Sequence, residues 1–306
     1  MSFFVTLTTV AVMLLYAVPG FLLVKTNMIK GDHIPSFSKV LMYVCQPCLT
    51  IYSFRQVPLS LESVKNMGLC FTITLFLQLG LVLTYFFLFR KKRKDVIWRI
   101  INLAAVFSNC GFLGIPILEA LLPDHPEVLV YSSLFSIPMN LIGWSLGMYI
   151  ISLDKSYVRA KKIFLTPAMF GFLAALLLFS FDVQLPAQLE TMLTFLGRMS
   201  TPLCMLIMGM RLATVKIKHI FCDARQYLAV VLNQFVFPLV TFAVLYFLPI
   251  SPVTKQALVI LSACPVASMV QNYAELLGQG NDKAANMVLL GTMSSVITVP
   301  LMCLML

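Results

Sequence analysis

Long apolar runs alternate with short polar segments along the whole chain. A helix needs about 20 apolar residues to cross the hydrocarbon core of a bilayer. The pattern therefore predicts an all-α membrane protein with ten transmembrane helices, here called spans one to ten. Their approximate bounds are 3–24, 35–54, 64–89, 96–122, 127–152, 162–181, 188–211, 225–248, 254–277 and 283–305.

The basic residues predict how these spans are oriented. Nearly all lysines and arginines fall in the odd-numbered connections, and the exceptions are Arg55, Lys65, Arg198 and Lys255. Since connections rich in lysine and arginine stay in the cytoplasm, both termini are predicted to lie outside. All connections are short, so we expect an integral, multi-pass protein of the cell membrane (plasma or inner) with no separate soluble domain.

Span four contains a stretch, 108–117, that opposes a regular helix. Pro116 has no N–H group and its ring clashes with the preceding turn, so a break is predicted there, helped by Gly111 and Gly114. Unpaired backbone groups are tolerated at this depth only where protein or a wet cavity covers them. The stretch therefore indicates a discontinuous helix that lines a substrate site, with Asn109 offering a donor and an acceptor. A proline kink packed on neighbouring helices is the alternative interpretation.

The second half of the chain repeats features of the first half in the same order. Paired serines precede a proline by the same spacing in span five, at Pro138, and in span ten, at Pro300. Further matched prolines lie in spans two and seven, and in spans four and nine: Pro47 with Pro202, and Pro116 with Pro265. A five-helix unit crosses the membrane an odd number of times, so its copy must be inverted. We predict two inverted five-helix repeats, 1–152 and 153–306.

The composition excludes several classes of protein. Hydrophobic residues make up 60% of the chain, mean hydropathy is +0.93, and charged residues are only 11%, against about 25% in soluble domains. The net charge of +10 lies in short loops, so it indicates membrane orientation and not nucleic-acid binding. The acids are too scattered for a catalytic pair, so no enzyme is expected. Cys45 and Cys48 have no second pair or nearby histidine, so we interpret them as packing residues and expect no metal or cofactor.

Three motifs resemble those of the auxin efflux carrier family. They are Asn109-x4-Gly114-Ile115-Pro116, the segment Ala263-Cys264-Pro265 followed by Ser268, Gln271 and Asn272, and the paired serines before Pro300. The resemblance covers the whole chain. The lack of a long cytoplasmic loop makes the chain more similar to bacterial members, which carry malate and related carboxylates, than to plant auxin exporters.

The resemblance implies a fold related to bile-acid/sodium symporters and sodium/proton antiporters. Spans four and nine would be broken crossover helices that cross at their prolines, beside the substrate. Spans one, two, six and seven would form a static scaffold, and spans three to five and eight to ten would carry the substrate. The family also implies a homodimer.

Spans four and nine run in opposite directions. Half-helices that begin at their prolines would direct two N-termini, each with about half a positive charge, at the middle of the membrane. Because no basic residue lies near either proline, we expect backbone N–H groups and polar side chains to bind a small organic anion, a malate-like or auxin-like carboxylate. The candidate substrate-binding residues are Asn109, Gly111, Gly114, Pro116, Pro265, Ser268, Gln271, Asn272, Gln46 and Ser133.

Several alternatives stay open at this point. Glu119 is either a proton carrier or a residue at the outer rim, and no paired aspartates indicate sodium, so the carrier is a uniporter or is proton-coupled. A membrane sensor, receptor or channel with the same fold is the alternative function. Buried amides such as Gln78, Asn140 and Asn233 are interpreted as interhelical packing contacts, each worth about 0.6 kcal/mol. Gly143-x-x-x-Gly147 is interpreted as packing within the protomer more readily than as a dimer face.

Overall fold

The structure is a computed structural model that describes residues 3–158, 166–215, 220–221 and 223–306. Regular secondary structure within these ranges is helical, apart from one isolated β-bridge. The predicted all-α fold is therefore confirmed for the described residues. The expected start of span six lies outside them, as do several residues assigned to connections: Arg159, Lys161, Lys162, Lys216, Lys218 and His219.

We number the helices of the described residues α1 to α12 in chain order. They are α1 Phe3–Lys25, α2 34–55, α3 Leu61–Leu88, α4 Val96–Ala104, α5 Cys110–Leu121, α6 Val128–Ser152, α7 Pro167–Ser180, α8 Ala187–Thr214, α9 Ala224–Tyr246, α10 Pro252–Ala263, α11 Ser268–Leu277 and α12 Asn281–Cys303.

Six helices within the described ranges are long and apolar enough to cross a membrane: α1, α3, α6, α8, α9 and α12. They match predicted spans one, three, five, seven, eight and ten. The other predicted spans correspond to α2, to α4 with α5, to α7, and to α10 with α11. A multi-pass membrane protein is thereby confirmed, while the count of ten crossings and their orientation stay predictions.

Widened π-helical turns precede several of the prolines. Three such turns each end two residues before a proline: Leu41–Cys45 before Pro47, Cys110–Gly114 before Pro116, and Leu232–Val236 before Pro238. A π turn moves the hydrogen bonds to carbonyls one residue further back, which makes room for the proline ring. The helix therefore continues through each of these prolines. The predicted break at Pro116 is wrong, because that proline lies inside α5.

Glycines allow α1, α2, α7 and α8 to approach one another closely. A methyl group on Gly20 of α1 would overlap the α8 backbone, and one on Gly209 of α8 would overlap the α1 backbone. Likewise, a Cβ on Gly171 of α7 would lie 2.5 Å from the Cα of Pro47, and one on Gly197 would lie 3.0 Å from the Cα of Leu49. These four helices match the spans expected to form the scaffold, and they pack together without intervening side chains at these points.

Two buried glutamines make equivalent contacts in the two halves of the chain. Gln78 Nε2 donates to the Phe135 carbonyl at 3.1 Å, which joins α3 to α6. Gln234 Nε2 donates to the Gly291 carbonyl at 2.6 Å, which joins α9 to α12. The acceptor follows the donor by 57 residues in both cases. Such matched contacts are what an internal repeat predicts.

The Gly143-x-x-x-Gly147 segment packs inside the chain. A Cβ on Gly143 would overlap the ring of Tyr273, and one on Gly147 would lie 3.2 Å from Leu103 Cδ1. These glycines therefore make room for α11 and α4 against α6, as the packing interpretation expects.

Candidate functional site

Predicted spans four and nine are each interrupted by a non-helical segment, and these two interruptions lie against each other. Residues 105–109 separate α4 from α5, and residues 264–267 separate α10 from α11. Ser108 and Val266 form an antiparallel bridge across this contact. Both residues are fully buried. The structure thus brings together two chain segments that are more than 150 residues apart in sequence.

Backbone hydrogen bonds hold the interruptions together. The Asn109 N–H donates to the Pro265 carbonyl at 2.6 Å, and the Ala267 N–H donates to the Phe107 carbonyl at 2.8 Å. The Ser108 hydroxyl adds a third bond, to the Leu261 carbonyl at 2.8 Å. Backbone groups that leave the helical pattern at this depth are therefore paired with each other, as a low-dielectric environment requires.

The interruptions have different local causes. Cys264 is extended, with φ −60° and ψ 148°, because the residue before a proline is excluded from helical geometry. Pro265 therefore ends α10, as the sequence predicts. In the other segment the break lies at 105–109, upstream of Pro116, and Pro116 lies within α5 directly after its π turn. The half-helices consequently begin at Cys110 and Ser268, and not at the prolines.

A cavity of about 650 Å³ lies beside the two interruptions. Its lining includes the first residues of α5 and α11, together with parts of α2, α6, α7, α8 and α12. Much of the wall is apolar, with Phe112, Met139, Trp144 and Met208 among the lining residues. Polar groups converge on one apolar chamber, which is the usual form of a small-molecule site.

Six of the ten candidate site residues line this cavity. They are Gln46, Asn109, Gly111, Ser268, Gln271 and Asn272. Asn109 is 5% exposed and Gln271 is 6% exposed. The backbone of Asn109 belongs to the hydrogen-bonded contact between the interruptions, so its position relative to α11 is determined by that contact.

The structure places the other four candidates outside the cavity lining. Gly114 packs against α10, where an added Cβ would lie 2.7 Å from Leu261 Cδ2. Pro116 lies within α5, and Pro265 contributes its carbonyl to the contact between interruptions. Ser133 is buried, and its carbonyl accepts a bond from the Ser136 hydroxyl at 2.8 Å. These four residues support the cavity wall and do not themselves line the cavity.

Of the amides interpreted as packing contacts, Asn140 is the one that lines the cavity. Its side chain donates to the Ser136 carbonyl at 2.9 Å, and Ser136 also lines the cavity. Gln78 donates to a buried carbonyl, and Asn233 is fully buried away from the cavity. The interpretation as an interhelical contact thus fits Gln78, whereas the amide of Asn233 has no hydrogen-bond partner among the described residues and Asn140 is also placed to contact a ligand.

Charged side chains also line the cavity, which sequence reasoning missed. In the part of the chain that the structure describes, they are Lys39 of α2, Arg211 of α8 and Glu275 of α11. Arg211 Nη1 donates to Glu275 Oε1 at 2.7 Å, and its side chain is 14% exposed. The expectation that no basic side chain would take part in the pocket is therefore wrong. Arg211 was counted as a residue of a cytoplasmic connection, because hydropathy cannot tell which way the last turn of a helix faces.

A second group of ion pairs lies along the first half of α8. Arg198 Nη2 donates to Glu119 Oε1 at 3.3 Å and to the Tyr52 hydroxyl at 2.8 Å. Arg55 pairs with Glu190 nearby in the sequence of α8. Arg198 precedes Arg211 by 13 residues, or about 20 Å along a helix. Glu119 is 40% exposed and lies outside the cavity lining, which agrees with a position at the rim.

Comparison with known proteins gives one clear result. A family model described as a membrane transport protein matches residues 5–161 and residues 155–303. The two matches together cover almost the whole chain. No curated protein sequence matches the chain significantly.

Proposed function

The chain belongs to the membrane transport protein family of the auxin efflux carrier type, and from this premise we propose that it is a secondary carrier of a small organic anion. The family confirms the resemblance read from the motifs and makes the protein a membrane transporter. The substrate is a carboxylate of the malate or auxin class. It binds in the cavity beside the two interruptions and crosses by alternating access.

The charge distribution of the cavity is the main observation that supports this proposal. The N-terminal ends of α5 and α11 both line it, and each contributes about half a positive charge and free N–H groups. Lys39 and Arg211 add two positive charges, and Glu275 removes one. The cavity therefore favours an anion, and its apolar wall favours an organic one. Helix N-termini that point at an anionic substrate are a recurrent feature of transporters with interrupted helices.

The described conformation supports an inward-facing state. The cavity reaches Ser38 at the start of α2, Thr166 before α7, and Arg211 near the end of α8. These residues adjoin three of the connections that are rich in lysine and arginine, which we propose are cytoplasmic. In the first half of α8, Arg198 links the helix to Glu119 and Tyr52. We infer that these contacts close the path to the outside.

The larger assembly is proposed on the same basis. Residues 1–152 and 153–306 form two inverted five-helix repeats with crossover helices α4–α5 and α10–α11, and both termini lie outside. The carrier is a homodimer of bacterial type in the cell membrane. Transport is driven by the membrane potential or by protons.

Counterflow in proteoliposomes tests the proposed function. Vesicles that contain the purified protein and unlabelled malate inside should take up labelled malate faster than vesicles without internal malate, and an auxin-like acid should be tested in parallel. A channel would show uptake without this acceleration. A sensor would bind a carboxylate without any flux, and either result would overturn the proposal.

Replacing Asn109 with alanine should weaken anion binding about 10- to 100-fold, because a hydrogen bond to a charged group contributes about 1.5–3 kcal/mol. Asn109 lines the cavity between the two helix N-termini. The measurement is the increase in melting temperature as the anion is titrated, since a ligand that binds only the native state stabilises it.

Asn233→Ala is the matched control for this variant. Asn233 is also a buried asparagine, but it lies outside the cavity lining and its amide has no hydrogen-bond partner. It should leave anion affinity unchanged. Equal affinities of Asn109→Ala and the wild type would remove Asn109 from the binding site.

A further inference from the structure

An ion pair at the mouth of the cavity joins three helices. The Glu275 Oε1 atom of α11 accepts from Arg211 Nη1 of α8 at 2.7 Å and from Gln271 Nε2 at 2.8 Å. Arg211 Nη2 also donates to the Ser38 hydroxyl of α2 at 3.4 Å. The Arg211 guanidinium is therefore already paired with a carboxylate that belongs to the protein.

We propose that Arg211 binds the carboxylate of the transported anion, and that Glu275 gives up Arg211 and takes up a proton when the anion arrives. This inference rests on the proposed function, and it names the residues that determine anion recognition and proton coupling. A guanidinium can bind a carboxylate through two parallel N–H bonds, so a substrate carboxylate can replace the single bond that Arg211 makes to Glu275.

Repulsion between carboxylates is the reason that the exchange includes a proton. Two ionised carboxylates beside the single Arg211 guanidinium would repel each other. If Glu275 becomes neutral, Arg211 again faces one carboxylate. The proton comes from a hydronium ion or a buffer acid in the solvent, which the Glu275 side chain can reach because it is 41% exposed. The bond between the proton and that donor breaks as an O–H bond forms on a carboxylate oxygen of Glu275, and the deprotonated donor stays in the solvent.

Arg211 is the charged residue that pairs with Glu275, and the neighbouring ionisable groups have other positions or partners. From α2, Lys39 and Tyr43 line the same cavity, and Tyr273 is the neighbouring phenol on α11. Lys283 of α12 is paired with Asp223 at 3.5 Å, and Arg99 of α4 donates to the Ile151 carbonyl. Among the described residues, Lys283 and Arg99 are thus engaged elsewhere, and Lys39 is the other cation that lines the cavity.

Linkage determines the expected pH dependence. If each anion binds together with one proton, affinity rises as pH falls. The slope approaches a tenfold change per pH unit, which is about 1.4 kcal/mol. A panel of malate, succinate, citrate and benzoate, measured by thermal stabilisation of the full chain from about pH 8 to about pH 6, gives the slope for the best-binding anion.

The variants separate the two roles. Glu275→Gln imitates the protonated acid, so it should bind the anion tightly at every pH and lose the slope. Glu275→Asp keeps an ionisable carboxyl group, so it should keep the slope. It provides a second test of the role of Glu275 if the glutamine variant does not fold. Arg211→Gln should lower affinity at least tenfold at every pH. Glu119→Gln is the matched control, because its pair with Arg198 lies outside the cavity lining, and it should leave the slope unchanged.

The results distinguish failure of this inference from failure of the proposed function. If no anion of the panel stabilises the wild type, and counterflow is absent, the proposed function fails. If the wild type binds an anion but its affinity does not change with pH, the proton exchange is wrong. A slope that persists in Glu275→Gln, or wild-type affinity in Arg211→Gln, would equally overturn the assignment of these two residues.

Discussion

Replacement of Gly209 by alanine is expected to lower the melting temperature by roughly 6–12 °C or to prevent accumulation of folded protein. A Cβ at this position would overlap the carbonyl of Ala17 in α1. Backbone atoms cannot move aside as a flexible side chain can, so α1 and α8 would have to separate along their length. Overpacking of this kind costs about 3 kcal/mol, and each kcal/mol corresponds to about 2–4 °C for a chain of this size. Thermal unfolding in detergent, followed by size-exclusion chromatography, measures the effect.

The partner glycine provides an internal test of the mechanism. A Cβ on Gly20 would overlap the Leu206 carbonyl, so Gly20→Ala should destabilise the protein to a similar extent. The double variant should lose less stability than the sum of the losses in the two single variants, because the helices need to separate only once. Gly80→Ala is the control: no heavy atom lies within 4 Å of the added methyl, and alanine favours a helix over glycine by about 1 kcal/mol. A Gly209→Ala protein that melts with the wild type would show that the close approach of α1 and α8 is not required.

Features of the fold could be predicted from the sequence where the residues that cause them lie close by in the chain. Apolar runs of sufficient length predict the long helices, and Pro265 predicts the end of α10, because a proline restricts the residue before it. Pro116 misled the prediction. A π turn from Cys110 to Gly114 accommodates its ring, and nothing in the sequence distinguishes that arrangement from a break.

The interruption at 105–109 has no local signal of comparable strength. Its backbone groups leave the helix and bind residues 265–267, and that partner is more than 150 residues away in sequence. Only the folded structure shows that an extended segment costs little here, because the opposite interruption satisfies its hydrogen bonds. The N-terminus of α5 was consequently predicted six residues too late, at Pro116 instead of Cys110, whereas that of α11 was predicted three residues too early, at Pro265 instead of Ser268.

Some residues of the candidate site could likewise be identified from the sequence, and others could not. Polar residues next to the interruptions, such as Asn109, Ser268 and Gln271, were found because a polar side chain in an apolar run is conspicuous. Arg211 was missed because it stands at the end of a span, where a basic residue is ordinary. Whether it faces the cavity depends on the rotation of α8. The close contact of Gly209 with α1, two residues earlier, constrains that rotation, and this contact cannot be inferred from hydropathy.

Ala267→Pro should reduce counterflow at least tenfold while lowering the melting temperature by about 2–10 °C. Ala267 has φ −68° and ψ 138°, so a proline ring fits the backbone without strain. The substitution therefore removes one group, the N–H that donates to the Phe107 carbonyl at 2.8 Å, and places ring atoms against that carbonyl. Phe107 is fully buried, and a buried acceptor left without a partner costs about 1–3 kcal/mol.

The larger effect is expected on transport, because this bond joins the segments that position both helix N-termini beside the cavity. If the contact between interruptions loosens, the starts of α5 and α11 no longer converge on one anion, and their combined charge is lost from the site. Ala267→Ser is the matched control: it keeps the N–H, and serine is well suited to the residue that precedes a helix. A proline variant that exchanges substrate at the rate of the serine variant would show that the bridge between the two interruptions does not organise the binding site, and the proposed role of the paired half-helices would fail with it.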